Sequence, residues 1–391
     1  MSQELISHSP DLKKLRDEGY EIEARSGHLL VKHVPYVTAQ KEVKYAILVS
    51  TLRLAGDRTD KPDTHVVYFT GEYPCKVDGS RITGLEHGSA RQELLPGVVV
   101  EHSFSNKPPD GYPDYHAKMT RYVKIISVQA EAIDPNATAR THPVYEATEE
   151  ESVFKYIDTA SSRAQITLAT KKLELAKVAI IGLGGTGSYV LDLVAKTPVK
   201  EIHLFDGDVF SQHNAFRSPG APTVGELRQR LTKAVFFKEK YSPMRRGLVD
   251  HAAFIDATNV DSLQQMDFVF LCLDKGAAKK LIVDKLEEFG KPFIDVGMGI
   301  ELRNDKLMGI LRTTTSTAAV RIAKRRIPFQ DGGADNEYDT NIQIADVNAL
   351  NAALAVIKWK KLYEFYWDLE KEHNSTYVIS GNDVNNEEQQ A

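Results

Sequence analysis

Lys177–Ser188 reads KVAIIGLGGTGS, and this stretch decides the fold. Val178 to Ile181 are all apolar, which suits a strand buried on both faces. The run then breaks into Gly182, Leu183, Gly184, Gly185, Thr186 and Gly187. Glycines at this spacing let the chain turn sharply. They also let backbone N–H groups approach a phosphate at the positive end of the next helix, GSYVLDLVA. Asp206 ends the following apolar run, EIHLFD, about 20 residues on, where an acid bonds a ribose hydroxyl. Strand, loop, helix and acid occur in register, so nucleotide binding is expected. Gly182, Gly184 and Gly187 alone fit NAD as well as ATP.

Downstream, DFVFLCLD and KPFIDVGM read as further buried strands. Helical stretches GELRQRLTKAVFFKEKY and GAAKKLIVDKLEEFG separate them, and a long helix closes the region at NIQIADVNALNAALAVIKWKKLYEFYWDLE. This alternation predicts an α/β domain over residues 148–375, a Rossmann-type, mostly parallel sheet with helices on both faces. Residues 376–391 read as a polar, disordered tail. Upstream, residues 1–147 predict an N-terminal α+β domain. It has a helix at PDLKKLRDEG, a hairpin of YEIEAR and HLLVKHV about SGH, strands at KYAILVSTL, HVVYFTG and GVVVEHSF, and a helix at DYHAKMTRYVKIIS. Residues 130–147, with two prolines, read as a linker. This domain carries no motif with readable chemistry; recruitment of a partner is its expected role.

Composition narrows the class. The chain has 391 residues, 42% hydrophobic and 26% charged, as ordinary globular proteins do. A net charge of −5 argues against nucleic acid as the main partner. The N-terminus lacks the apolar core of a signal peptide, and no run approaches ~18 apolar residues, so a cytoplasmic protein with no membrane partner is expected. Two distant cysteines, Cys75 and Cys272, give neither a disulfide framework nor a zinc site.

The residues after Asp206 favour ATP over NAD. Asn214 and Arg217 follow eight and eleven positions on. Cleavage at the α-phosphate builds charge on the departing pyrophosphate, and cations aimed at that charge are a large catalytic term. Lys233, in LTKAVFF, is a second cation. Asp274 follows the strand FVFLC, faces the ligand crevice, and suits Mg²⁺. Each residue also has a plainer reading: Asp208 as a turn cap, Arg217 as a surface ion pair, Asp274 as a helix N-cap.

Taken together, GLGGTGS, LFDGDVFSQHNAFRS, CLDKGAAKKLI and NIQIADVNALNAALAVIKW resemble the ThiF/MoeB/HesA family of ubiquitin-activating-type adenylating enzymes, over about 220 residues. The resemblance implies ATP- and Mg²⁺-dependent adenylation of the C-terminal carboxylate of a ubiquitin-like protein. It implies Gly182, Gly184, Gly185 and Gly187 about the phosphates, Asp206 on the ribose with Asp208 beside it, and Asn214 and Arg217 on the phosphates. Asp274 would hold magnesium. Lys233 is the family's further basic residue by local pattern, Arg228 by strict spacing. Arg163 stands where a family arginine reaches a nucleotide, often across a dimer, so a homodimer is expected, with a conjugating-enzyme-like protein as further partner.

Family members then differ in what receives the acyl group. This chain has no cysteine after Cys272 and no CxxC pair. Three routes stay open: direct transfer to a partner's nucleophile, transfer to Cys75, or an oxyester on Ser316 or its neighbours Thr313, Thr314, Thr315 and Thr317. The basic cluster Arg321, Lys324, Arg325 and Arg326 reads as a solvated face, a dock for an acidic partner tail, or a contact to ATP phosphates across a dimer. The competing functions are sulfur-carrier or other small-carboxylate adenylation, a non-catalytic Rossmann scaffold, and an NAD-dependent oxidoreductase.

Overall fold

The computed structural model describes residues 2–147, 149, 152–164, 166–329 and 342–387. The chain divides into two compact units. The first joins residues 1–145 to 158–165, and the second joins 146–157 to 166–391. The chain therefore crosses between units more than once, instead of at a single boundary near residue 147.

The first unit is a six-stranded antiparallel sheet. Its spatial order is Ile22–Arg25, His28–Val37, Val43–Thr51, Val66–Phe69, Val98–Ser105, Glu86–Leu95. The expected hairpin pairs Arg25 with His28 across Ser26 and Gly27, both at positive φ (48° and 71°), as a tight hairpin turn requires. The helix Tyr115–Ile133 starts at Asp114, whose side chain accepts the Ala117 N–H at 2.7 Å. Tyr115, Met119, Tyr122, Val123 and Ile126 recur at helical spacing and bury with Leu48, Val67 and Phe69 of the sheet. The supposed linker is part of this unit as far as Tyr145. The helix runs on to Ile133, Ala137 and Ala139 are buried, and the Tyr145 hydroxyl donates to the Tyr20 carbonyl at 3.0 Å.

The second unit is an eight-stranded sheet in the order Leu248–His251, Glu201–Phe205, Lys177–Ile181, Phe268–Leu271, Phe293–Arg303, Lys306–Ser316, Asn374–Val378, Asp383–Glu387. The first five strands are parallel and the rest antiparallel. Val178 and Ile180 join one apolar cluster and Ala179 and Ile181 another, so both faces of the central strand are covered. Helices Gly185–Val194 and Ala345–Leu362 pack on one face through Leu191, Val194, Ala352 and Trp359. Gly276–Glu288 packs on the other through Ile282, Val283 and Leu286.

Several expectations are corrected. GELRQRLTKAVFFKEKY is two helices, Val224–Gln229 and Lys233–Tyr241, because Arg230 is left-handed (φ 51°). The closing helix stops at Leu362, shortly before Glu364, also left-handed (φ 57°). Residues 376–387 are no tail: Asn374–Val378 and Asp383–Glu387 extend the sheet, and the exposed polar residues of the outer strand hide it from a hydrophobicity reading. Among the described residues no helix is long and apolar enough to cross a membrane.

Candidate functional site

The strand Lys177–Ile181 ends between Glu201–Phe205 and Phe268–Leu271, at the point where strand order reverses and open α/β sheets bind ligands. The loop that follows is shaped by contact. Gly182 has φ +87°, and a Cβ there would stand 2.6 Å from the Cys272 carbonyl oxygen. A Cβ on Gly187 would stand 1.8 Å from the Gly182 carbonyl oxygen. Gly187 is thus a packing residue under the loop and does not line the cleft, whereas Gly182, Gly184 and Gly185 do.

Asp206 fastens this loop. Its Oδ2 accepts the Leu183 N–H at 2.7 Å and its Oδ1 the Asp208 N–H at 2.9 Å. Burial pushes its carboxyl above the ordinary range, while Lys233, 3.7 Å away, pulls it back. Lys233 opens the helix Lys233–Tyr241. Its backbone N–H donates to the Asp208 carbonyl at 2.8 Å, and its Nζ to Asp208 Oδ2 at 2.7 Å. Asp208 therefore holds Lys233 in place, which neither the turn-cap nor the ribose reading anticipated. Arg228 is exposed on the preceding short helix and does not line the cleft, whereas Lys233 does.

Asn214 closes a one-turn helix, Gln212–Ala215: its Oδ1 accepts the Ser211 N–H at 2.8 Å, and its carbonyl accepts the Arg217 N–H at 3.1 Å. It does not line the cleft but carries the turn that presents Arg217, which does. Among the described residues Arg217 Nε is a buried donor without a partner. Asp274 is exposed at the cleft just past the strand Phe268–Leu271. The next helix is capped at Lys275, so Asp274 is not its N-cap.

One cleft of about 500 Å³ gathers Gly182, Gly184, Gly185, Asp206, Asp208, Arg217, Lys233 and Asp274. It also takes in a cluster that the motifs did not reveal. Asp295 is fully buried, with Lys279 Nζ at 2.9 Å and Arg312 Nη2 at 2.6 Å, and both cations line the cleft. Burial pushes the Asp295 carboxyl up and the two cations oppose that shift. The available signal was an acid inside the apolar run FIDV, where an unpaired charge is not tolerated.

Other expected residues fall elsewhere. Arg163 ends the short helix Thr159–Arg163, folds with the first unit, and is not among the cleft residues. Cys272 follows its strand and does not lie within it. It reaches the cleft, yet its enclosed thiol is pushed far above the ordinary range. Cys75 is buried in the first unit and its thiol is also raised by burial. Ser316 does not suit an acyl acceptor. It is fully buried at the end of a strand, its Oγ accepts from Arg321 at 3.2 Å, and Thr313, Thr314 and Thr315 are buried beside it. In the basic cluster, Arg321 also bonds the Lys291 carbonyl, Lys324 pairs with Asp284, and Arg326 with Glu387.

N–H groups of a glycine loop, an acid beyond the second strand, several cations and an accessible carboxylate around one cleft define the class, a Rossmann-type nucleotide-binding domain. More particularly, residues 159–350 are a ThiF family domain. Residues 10–159 match a domain of unknown function, DUF6791. Among characterised relatives, the chain is 29% identical over 125 residues to the adenylyltransferase and sulfurtransferase uba4 of Emericella nidulans, covering 32% of this chain and 26% of that protein. It is 25% identical over 130 residues to the SUMO-activating enzyme subunit uba-2 of Caenorhabditis elegans, covering 33% and 22%. The chain thus spans about a quarter of the length of the curated relatives it matches. Among solved structures, E. coli MccB with MccA-N7isoASN superposes with a TM-score of 0.47 at 18% identity, over 59% of this chain and 72% of that one. PaaA superposes at 0.44 and 17%, over 56% and 75%.

Proposed function

We propose that the second unit adenylates the C-terminal carboxylate of a ubiquitin-like protein, using ATP and Mg²⁺ and releasing pyrophosphate. The observation that carries this reading is the meeting of Arg217, Lys233 and Asp274 with Gly182–Gly185 around one cleft. N–H groups at the helix N-terminus hold a phosphate, and Asp206 retains acceptor capacity for a ribose hydroxyl beyond its two backbone bonds. A carboxylate oxygen of the substrate attacks the α-phosphorus; the new P–O bond forms as the bond to pyrophosphate breaks, and the electron pair leaves with pyrophosphate. Arg217 and Lys233 stabilise that departing charge. Asp274 is an oxygen donor suited to a hard cation held mainly by phosphates, and Mg²⁺ there would neutralise phosphate charge.

Arg163 acts, on this reading, on the nucleotide of a second copy, in a homodimer. The acyl group passes directly to a partner's nucleophile, since Ser316, Cys75 and Cys272 are each enclosed or held at raised pKa. The first unit recruits the modifier or that conjugating partner. Activation of a sulfur carrier is the second reading, supported by the likeness to a sulfurtransferase-linked relative.

The test is ATP–pyrophosphate exchange with Mg²⁺, with and without a small ubiquitin-fold protein. Exchange is expected to require the added protein and to fall roughly 10²-fold or more in Asp274→Ala. Undiminished exchange in that variant, or NAD co-purifying with the chain, would sink the reading.

A further inference from the structure

The first unit holds a hydroxyl beside a base. Glu86–Leu95 is an edge strand of the six-stranded sheet, and Ser89 on it stands directly opposite His102 of Val98–Ser105. Directly opposed residues of antiparallel strands turn their side chains to one face, about 5 Å apart at Cβ. Ser89 Oγ meets His102 Nδ1 at 2.8 Å. The same hydroxyl lies 3.0 Å from Glu86 Oε1. The strand register slips on both sides of the pair, between Glu86 and Gly88 and again between Ser89 and Gln92. Such bulges re-aim single side chains, and they gather at sheet edges and beside active sites.

Packing orients the base. The His102 ring stacks on Phe104, with 13° between the planes, and meets Tyr73 edge-on at 5.3 Å between centroids. Arg81 lies over the Tyr73 ring at 4.8 Å. Burial lowers the His102 pKa from its ordinary 6.5; Glu101 opposes that shift, Arg81 adds to it and Glu86 opposes it. The imidazole is therefore neutral at pH 7. With its proton on Nε2, it offers Nδ1 as an acceptor to the Ser89 hydroxyl. Ser89 is exposed, whereas Ser316 and Cys75 are buried. A neighbouring pair supplies the contrast. His87 Nδ1 lies 3.1 Å from Ser103 Oγ, but the Ser103 hydroxyl donates to the Gly88 carbonyl at 3.3 Å, a group that takes up no proton. A hydroxyl in reach of a base that a third group orients is the arrangement of an activated nucleophile.

We propose that Ser89 accepts the activated acyl group as an oxyester, with His102 as its general base. The inference rests on the adenylation reading and names the partner in it: a second copy of this chain, presenting the same first unit that carries Arg163. Ser89 Oγ attacks the acyl carbon of the adenylate. The new C–O bond forms as the bond to the AMP phosphate breaks, and that electron pair leaves on AMP. The Oγ proton passes to His102 Nδ1, and Glu101 and Glu86 favour the imidazolium so formed.

Two probes separate the nucleophile from its donor. The first is p-nitrophenyl acetate, applied to the full chain without ATP, with the acetylated residue located by peptide mass spectrometry. Acetylation is expected on Ser89. It should fall at least ~10-fold in His102→Phe, which keeps a ring in the stack but removes the base, and stay unchanged in Ser103→Ala. Thermal unfolding of each variant, matched to wild type, shows that the fold is kept. The second probe is ATP with Mg²⁺ and a ubiquitin-fold protein, added to a mixture of Ser89→Ala and Asp274→Ala chains. The first chain keeps the adenylation site and the second keeps the nucleophile. An adduct on the Asp274→Ala chain is expected, stable to thiol and cleaved by mild base. Adding Ser89→Cys to that chain should make the adduct thiol-labile. No acetyl group on Ser89, or one indifferent to His102→Phe, overturns the inference. So does pyrophosphate exchange with no adduct in the mixture. Acetylation of Ser89 without any exchange leaves the nucleophile standing and removes adenylation.

Discussion

Lys118 in the first unit and Asp295 in the second are both fully buried, and the chain deals with them in opposite ways. The Lys118 ammonium donates to Ser50 Oγ at 2.8 Å, with no carboxylate in hydrogen-bond reach among the described residues. Burial pushes its pKa down to about 8, with only a weak counter-pull from Asp63. Asp295 instead sits between two cations, Lys279 and Arg312. A lone buried charge relieves itself by shedding its proton; a paired one keeps its charge and fixes its partners. The first arrangement serves a core. The second fixes two cations at the wall of a cleft, where a polyanion can meet them.

The largest expected effect comes from breaking the pair. Asp295→Leu leaves Lys279 and Arg312 buried without their carboxylate and should destabilise the second unit by about 3–5 kcal/mol, read as a lowered urea midpoint with unchanged slope. A loss below ~1 kcal/mol would mean that the two cations do not depend on Asp295. Lys118→Met should act with the opposite sign. The folded pKa of Lys118, about 8, lies below its ordinary 10.5, so the unfolded chain binds more protons between those values and stability rises with pH across them. At pH 7 the burden is on the order of 3 kcal/mol, at ~1.36 kcal/mol per pKa unit. The methionine variant should be the more stable at pH 7, should lack the rise from pH 8 to 10.5, and should meet wild type above it. Amide exchange in the helix Tyr115–Ile133 reports this locally. Parallel slopes in the two proteins would mean that burial does not lower the Lys118 pKa in the fold.

The two regions also differ in how legible they were. KVAIIGLGGTGS, the acid at Asp206 and the cation at Arg217 are local signals, each a few residues long with one physical purpose, and they located the parallel sheet and much of the cleft. The Asp295 cluster was not legible, because Lys279, Asp295 and Arg312 lie on a helix and two strands, and only the assembled sheet brings them together. The hairpin of Phe293–Arg303 and Lys306–Ser316 carried a local sign that went unread: Asn304-Asp305 between MGIELR and KLMGIL is a tight-turn pair flanked by strand-forming runs. Gly187 and Asn214 were placed near the ligand by spacing, yet spacing cannot separate a residue that touches a phosphate from one that packs beneath the loop. In the first unit, strands were legible as short apolar runs, whereas Glu86–Leu95 was not, being exposed and polar along nearly its whole length.

Lys233 stands between the two extremes and offers the smallest and sharpest test. Its side chain is 8% exposed, but its main partner, Asp208, has a side chain 56% exposed. A pair with one member in water is worth about 0–1 kcal/mol, so Asp208→Asn should barely move the unfolding midpoint. Its effect on nucleotide is more telling. With the Asp208 charge gone, Lys233 loses a competitor for phosphate and keeps the weaker contact with Asp206 at 3.7 Å. ATP affinity, measured by calorimetry without Mg²⁺, should therefore rise two- to fivefold, the equivalent of about 0.4–1 kcal/mol. The backbone bond from the Lys233 N–H to the Asp208 carbonyl survives the substitution, so the start of the helix stays in place. A tenfold fall in affinity would reverse the assignment: Asp208 would then be holding Lys233 towards the phosphates, and the exposed carboxylate would work as Asp295 does, by fixing a cation that other residues have to use.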